Sequence, residues 1–352
     1  MRKLKRVYLA VRDKYRFTKK HLLSPVRLPW KERCALWRWG FEPNKRVLYD
    51  FQKFSCSDFL SDEQMLAARF INDYQYYPLL GNKVIFERVT AAHTNVPKNY
   101  AVIQNNTVCS LDASFAGSTV ADLYDFCMEK RTLVFKPISG SKGTGVTFLT
   151  AGEKALSVNN TIFTKAAFLA FAARLNGFLV TEFLHQHRYA ASMYQDAVNT
   201  IRLLSMMDPL TQEPFIAAAV QRIGSAGTGK LDNFNRGALN ALVDMDSGRL
   251  GKAAQFRNQK LSWHTHHPVT QAAIQDTHVP CWPMLKAEIV KLHKAVFPFL
   301  SLIGWDAVLT EKNTWYIIEA NSTPAVYPVQ IHLPLLTIPK VRFFYRYYQI
   351  VR

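Results

Sequence analysis

The sequence predicts an α+β fold, with hairpin-built sheets and helices set between them, on three observations. Short strand-like runs rich in β-branched and aromatic residues recur from Val102 to Glu319. Helical stretches fall irregularly among those runs instead of alternating with them, which favours α+β over a doubly wound parallel sheet. Of 352 residues, 49% are hydrophobic and 20% charged, enough for a sizeable core and incompatible with disorder or a collagen-like repeat.

The elements follow in chain order. Leu4, Val7, Tyr8, Val11, Tyr15 and Leu22 recur at three- and four-residue steps among Lys and Arg, which predicts an amphipathic basic helix broken at Ser24-Pro25. Ser61 with Gln64 three residues on reads as a capping box, opening a helix expected to run to Tyr74. Lys83 to Ala92, Val120 to Glu129, Lys165 to Leu175 and Met284 to Phe297 are further helices. Strands are expected at Val102–Ile103, Thr132–Lys136, Thr147–Leu149, Phe178–Glu182, Thr200–Met206, Phe215–Ile223, Leu239–Asp244, Ala307–Thr310 and Trp315–Glu319. A last amphipathic helix carries Val341, Phe344, Tyr345 and Tyr348 on one face and Arg342, Arg346 and Arg352 on the other.

The net charge of +18 is not spread evenly. Positions 1–46 hold fifteen Lys/Arg against three Asp/Glu, and 340–352 hold four against none, which leaves the body near neutral. Basic ends with apolar faces suit an anionic membrane surface. A nucleic-acid-binding protein is the rival from another class, and the near-neutral body offers no RNA-binding signature for it. The five cysteines show no metal-ligand spacing and read as reduced thiols of a cytoplasmic protein, mostly buried filler. No apolar run reaches the roughly 20 residues of a membrane span, and no secretory signal is apparent.

Two segments carry chemistry. In Lys136-Pro137-Ile138-Ser139-Gly140-Ser141-Lys142-Gly143-Thr144-Gly145, a strand delivers a lysine and a glycine-rich loop follows that can bring N–H groups to phosphate oxygens. A plain hairpin is the other reading of that loop. Between Ile303 and Asn321, two apolar strands flank the turn Glu311–Thr314, placing Asp306 on one strand and Glu319 on the other. Asn321, two residues on, projects to the same side as Glu319. Two carboxylates and an amide oxygen form a hard-oxygen set suited to Mg²⁺ held jointly with phosphates, the alternative being an exposed acid pair at a sheet edge.

With Lys136-Pro137, Asp306, Glu319 and Asn321 in this order, the sequence resembles the ATP-grasp superfamily over roughly residues 80–335, and within it the sugar-transfer-associated family related to α-L-glutamate ligases. The resemblance implies an ATP-grasp fold, two α+β subdomains gripping ATP, with basic helical extensions. Its expected boundaries are a basic segment 1–46, a helical lead-in 47–98, a lid subdomain 99–184, a metal-bearing subdomain 185–339 and a basic aromatic tail 340–352. It implies ATP contacts at Lys83, Lys136, Ser139, Gly140, Ser141, Gly143 and Gly145, with a hinge at Glu182, Phe183 and Leu184 meeting the adenine. Asp306, Glu319 and Asn321 are expected to hold magnesium, with two ions as the expectation. Arg222 and Arg202 resemble arginines facing the transferred phosphate, with surface ion pairs as their alternative role.

Asp232-Asn233-Phe234 resembles a family segment on the substrate side, although Ala238 replaces a glycine. His267 resembles part of another such loop, while the run His264-Thr265-His266-His267 lacks a fourth ligand and reads as solvated. The reaction implied is ATP-dependent carboxylate–amine ligation through an acylphosphate, joining an amino acid or amine to a carboxylate such as a uronic acid, free or lipid-linked, in surface polysaccharide assembly. A phosphotransferase or inactive scaffold on the same fold is the alternative. The expected location is cytoplasmic, peripheral on the inner face of the membrane.

Overall fold

The computed structural model describes residues 2–140, 143–153 and 155–352. The chain groups into two units, a smaller one of residues 77–186 and 308–320 and a larger one of 1–76, 187–307 and 321–352.

In the smaller unit, β1 (Asn99–Gln104), β2 (Thr107–Ser110), β3 (Thr132–Pro137), β4 (Thr147–Ala151), β5 (Leu156–Val158), β6 (Thr161–Phe163) and β7 (Phe178–Glu182) form one sheet. Its order is β2-β1-β7-β3-β4-β5-β6, antiparallel throughout. Ile103, Phe135 and Val180 point to one face and bury against Leu123, Phe126 and Phe168 of the helices Val120–Lys130 and Lys165–Ala172. Because side chains alternate along a strand, Lys136 faces away from that core while its neighbour Phe135 fills it. The helix Val120–Lys130 starts at a capping box in which Thr119 and Asp122 satisfy each other's backbone N–H groups.

In the larger unit, β8 (Ile201–Met207), β9 (Pro214–Ile223), β10 (Leu239–Val243), β11 (Leu250–Arg257), β12 (Lys260–His264) and β13 (Leu302–Leu309, ending in the smaller unit) are ordered β12-β11-β10-β9-β8-β13. The chain then turns at Glu311–Thr314 into β14 (Trp315–Asn321). Every residue of β13 is buried, the charged Asp306 included. Gly304 is needed there, since a Cβ would lie 2.5 Å from that of Pro324.

Several expectations are corrected. The helix opened by Ser61 spans Asp62–Ala68 and stops well before Tyr74. Beyond the stop, the buried Asn72 amide donates to Leu302 O at 2.7 Å and Ser322 O at 2.9 Å and accepts from Ser301 N, so this side chain is tied to residues far along the chain. The tail helix Pro339–Tyr347 does not offer its apolar face to a membrane. Val341, Phe344 and Tyr345 are fully buried with Leu60, Met206 and Leu335. Of the cysteines only Cys127 is buried, while Cys34 and Cys109 are exposed. Among the described residues no helix is long and apolar enough to cross a membrane.

Candidate active site

In the smaller unit the loop after β3 turns through glycines with positive φ, +140° at Gly140, +67° at Gly143 and +78° at Gly145. L side chains rarely adopt these conformations, and a Cβ on Gly145 would lie 3.0 Å from Pro137 Cγ. Ser139 and Gly140 are exposed, and Ser141 lies outside the described residues. Asn82 bridges to Ser139, and Lys83 N donates to Ile138 O at 3.0 Å, which fixes the start of the helix Lys83–Thr90 against this loop. The Lys83 ammonium donates to Gly140 O at 3.2 Å.

Lys136 is 8% exposed. Its pKa is lowered to about 8, by burial first and by the neighbouring Lys83 charge second, with Glu319 opposing both. Burial likewise lowers Lys83, again opposed by Glu319. Two lysines and one carboxylate thus form an electrostatic group with a positive excess, and among the described residues no carboxylate pairs directly with Lys136. A buried ammonium without a matching acid carries a desolvation cost that a bound polyanion would offset.

Glu182 ends β7 and is tied twice to Lys98, its N–H donating to the carbonyl at 2.9 Å and its Oε2 accepting from Lys98 N at 3.2 Å. Phe183 packs edge-on to Phe148 of β4, and Leu184 is buried.

The larger unit carries a second group. Arg202 stands directly opposite Asp306 across β8 and β13, and its Nε and Nη2 grip the two carboxylate oxygens, the latter at 2.8 Å. Arg222 on β9 reaches Asp306 Oδ2 at 3.2 Å with one guanidinium nitrogen and Asp232 Oδ1 at 2.8 Å with the other. The remaining Asp232 oxygen accepts from Thr200 N at 2.9 Å and from its hydroxyl. Both arginines are therefore largely buried partners in a four-membered charge network, and not the surface ion pairs of the alternative reading. The group is electrically balanced within itself, and its guanidinium forks are held in place by the two carboxylates.

Asn233 caps the short turn Phe234–Arg236, accepting from Asn235 N at 2.9 Å. His267 is fully buried, its Nε2 bonded to Gly224 O at 2.9 Å and its ring 5.3 Å from that of Tyr194. Among the neighbouring histidines only His266 is well exposed, so the solvated reading fails for His267, whose buried ring organises the turn beneath it. Tyr327 was not foreseen: its hydroxyl donates to Asn235 Oδ1 at 2.7 Å, and Arg222 and Arg202 act on it electrostatically against the upward push of burial. Nothing in its local sequence, Tyr327-Pro328-Val329-Gln330, signals a site.

The donor set for magnesium is lean. Among the described residues no three His, Cys, Asp or Glu side chains cluster as a cage. Mg²⁺ takes oxygens from carboxylates, amides, phosphates and water, and Asp306 already gives both of its oxygens to the guanidiniums of Arg202 and Arg222. Asn321 adds one observation in favour of a ligand: its Nδ2 is buried with no hydrogen-bond partner among the described residues. Such an amide has a polar end left to satisfy, and at Asn the assignment of O and N is interchangeable.

The family model described as sugar-transfer associated ATP-grasp matches residues 65–335. A search of the curated proteins returned no match. Among solved structures, the ATP-grasp ligase PsnB complexed with minimal precursor is similar at 10% identity and TM-score 0.38, over 72% of this chain and 56% of that one. A Chryseobacterium gregarium RiPP-associated ATP-grasp ligase in complex with ADP and a leader and core peptide is similar at 11% identity and TM-score 0.41, over 77% and 60%. The ADP complex of purK, N5-carboxyaminoimidazole ribonucleotide synthetase, is similar at 10% identity and TM-score 0.40, over 75% and 47%. The chain thus spans about half to three fifths of the length of these proteins.

Proposed function

The chain belongs to the sugar-transfer associated ATP-grasp family, and from that premise we propose that it is an ATP-dependent carboxylate–amine ligase working through an acylphosphate. The observation that carries the reading is the buried, acid-poor ammonium of Lys136 beside Lys83 at the foot of a glycine loop, an arrangement suited to a polyphosphate.

Lys83 and Lys136 neutralise α- and β-phosphate oxygens, and the loop's backbone N–H groups cover them. The segment Glu182-Phe183-Leu184 meets the adenine. Asp306, Glu319 and Asn321 would hold Mg²⁺, which would supply further charge neutralisation at the phosphates. The carboxylate substrate attacks the γ-phosphorus and ADP leaves. Arg222, with Arg202, stabilises the charge on the transferring phosphoryl group, because its fork is already oriented by Asp232 and Asp306 and need not reorganise. The amine then attacks the acyl carbon, expelling phosphate and losing a proton to form the amide. Asp232, Asn233 and His267 shape the turn on the substrate side. The substrate class that fits the family's association with sugar transfer is a uronic acid of a surface polysaccharide or its precursor, joined to an amino acid or amine.

Hydroxylamine tests this, since it captures an acylphosphate as a hydroxamate. With ATP, Mg²⁺ and a panel of uronic-acid sugars, the expected result is ADP and hydroxamate in equal amounts for at least one sugar. ADP formed together with a stable phosphoester would identify a phosphotransferase instead.

A further inference from the structure

The N-terminal helix Arg2–Leu22 packs on the larger unit with the side opposite its apolar stripe. Asp13, Phe17 and His21 are buried: Asp13 pairs with Arg69, the Phe17 ring lies 5.6 Å from that of Trp37, and His21 Nδ1 lies 3.3 Å from Phe41 O. Lys14 and Lys20 pin the flanks through Glu63 and Glu42. The helix is therefore anchored without using Val7, Tyr8, Val11, Tyr15 and Leu22, which stay 61% to 65% exposed. At about 100° per residue these five side chains share an arc roughly 100° wide. Arg12, Arg16 and Lys19 run along one edge of that arc, and Leu23 and Trp30 beyond the helix end are also exposed, at 69% and 72%.

We propose that this stripe is a docking surface for an anionic lipid bilayer, the helix lying in the interface plane with its apolar residues among the acyl chains and its basic edge on the headgroups. The side chains supply what such a surface recognises: an apolar strip interrupted only by Thr18 between Tyr15 and Leu22, tyrosines that suit the interfacial zone, and cations along its border. The charge of residues 1–46, fifteen Lys/Arg against three Asp/Glu, complements acidic lipid. A second copy is the poorer occupant, because a two-fold contact through this stripe would bring like-charged edges together. Nucleic acid is poorer still, having no use for five exposed apolar side chains. The inference is independent of the ligase reading.

The test uses the full chain and co-sedimentation with phosphatidylcholine vesicles, with and without phosphatidylserine. The protein is expected to sediment with the phosphatidylserine vesicles and to release as salt rises. Val11→Asp with Tyr15→Asp, both off the packed face, should weaken binding about tenfold or more, with far-UV circular dichroism and melting unchanged. Arg16→Glu with Lys19→Glu should erase the preference for phosphatidylserine. Absence of binding to acidic vesicles at low salt would overturn the proposal. So would undiminished binding by the aspartate variant, or a dimer that this variant dissolves while vesicle binding is missing.

Discussion

Glu319→Gln is expected to abolish ATP turnover, by about a thousandfold or more, while the fold survives. Glu319 is the acid that acts on both Lys83 and Lys136, and its side chain is only half-buried on β14, so an isosteric amide removes charge without opening a cavity. Two consequences follow in the same direction. The ammonium groups lose the anion that favours their charged form, which lowers both pKa values further. The proposed magnesium set also loses one of its two carboxylates. Thermal melting close to wild type, together with turnover below detection, is the expected pair of measurements. Wild-type turnover in the variant would remove the residue from the site.

Arg222 should show the next largest effect, divided between stability and rate. Arg222→Met leaves Asp306 with one guanidinium and strips Asp232 of its cation, so unfolding is expected to become easier by about 3 kcal/mol. Turnover should fall about a hundredfold or more, since in the proposed mechanism Arg202 alone would then be left to stabilise the transferring phosphoryl group. Arg222→Lys separates the two roles. A lysine keeps the charge balance and should recover most of the stability in a denaturant titration, yet a single ammonium cannot reproduce the two-sided grip on Asp232 and Asp306, so turnover should stay at least about tenfold low. Equal recovery of stability and rate would mean that the arginine serves only the fold.

How much of this was legible in the sequence depended on whether the signal was local. The strand Phe178–Glu182 and the capping box at Ser61 were readable because their cues lie within a few residues. The strands Leu156–Val158 and Thr161–Phe163 were not, since three residues are too few for an alternation to register. The helix after Ser61 ends at Ala68, short of the length its pattern suggests, and the partners that the Asn72 side chain takes just beyond it, Leu302 and Ser322, lie more than 200 residues away. The same holds in the site. The residue types at Arg202, Arg222, Asp232 and Asp306 were read one by one, but the network they form depends on the register of β8 against β13, 104 residues apart for Arg202 and Asp306. Amphipathicity marked both terminal helices without saying which face is used. The tail buries its apolar face and the N-terminal helix exposes its own, because in the latter Asp13, Phe17 and His21 supply a second, less conspicuous packing face.

If Lys136 is a buried phosphate-binding lysine, calorimetric titration with ATP and Mg²⁺ in buffers of different ionisation enthalpy will show it. In the free protein its pKa is about 8, against an ordinary 10.5, so the charged form is disfavoured and stability should rise with pH between those values. A bound polyphosphate favours the charged form and raises the pKa. Binding near pH 8 should therefore take up about half a proton, none well below pH 7, and affinity should weaken as pH climbs past 8. Lys136→Met should bind ATP at least about tenfold more weakly and lose that proton uptake. A wild type that binds no ATP, or a methionine variant that binds it with unchanged affinity and proton uptake, would remove Lys136 from a phosphate site.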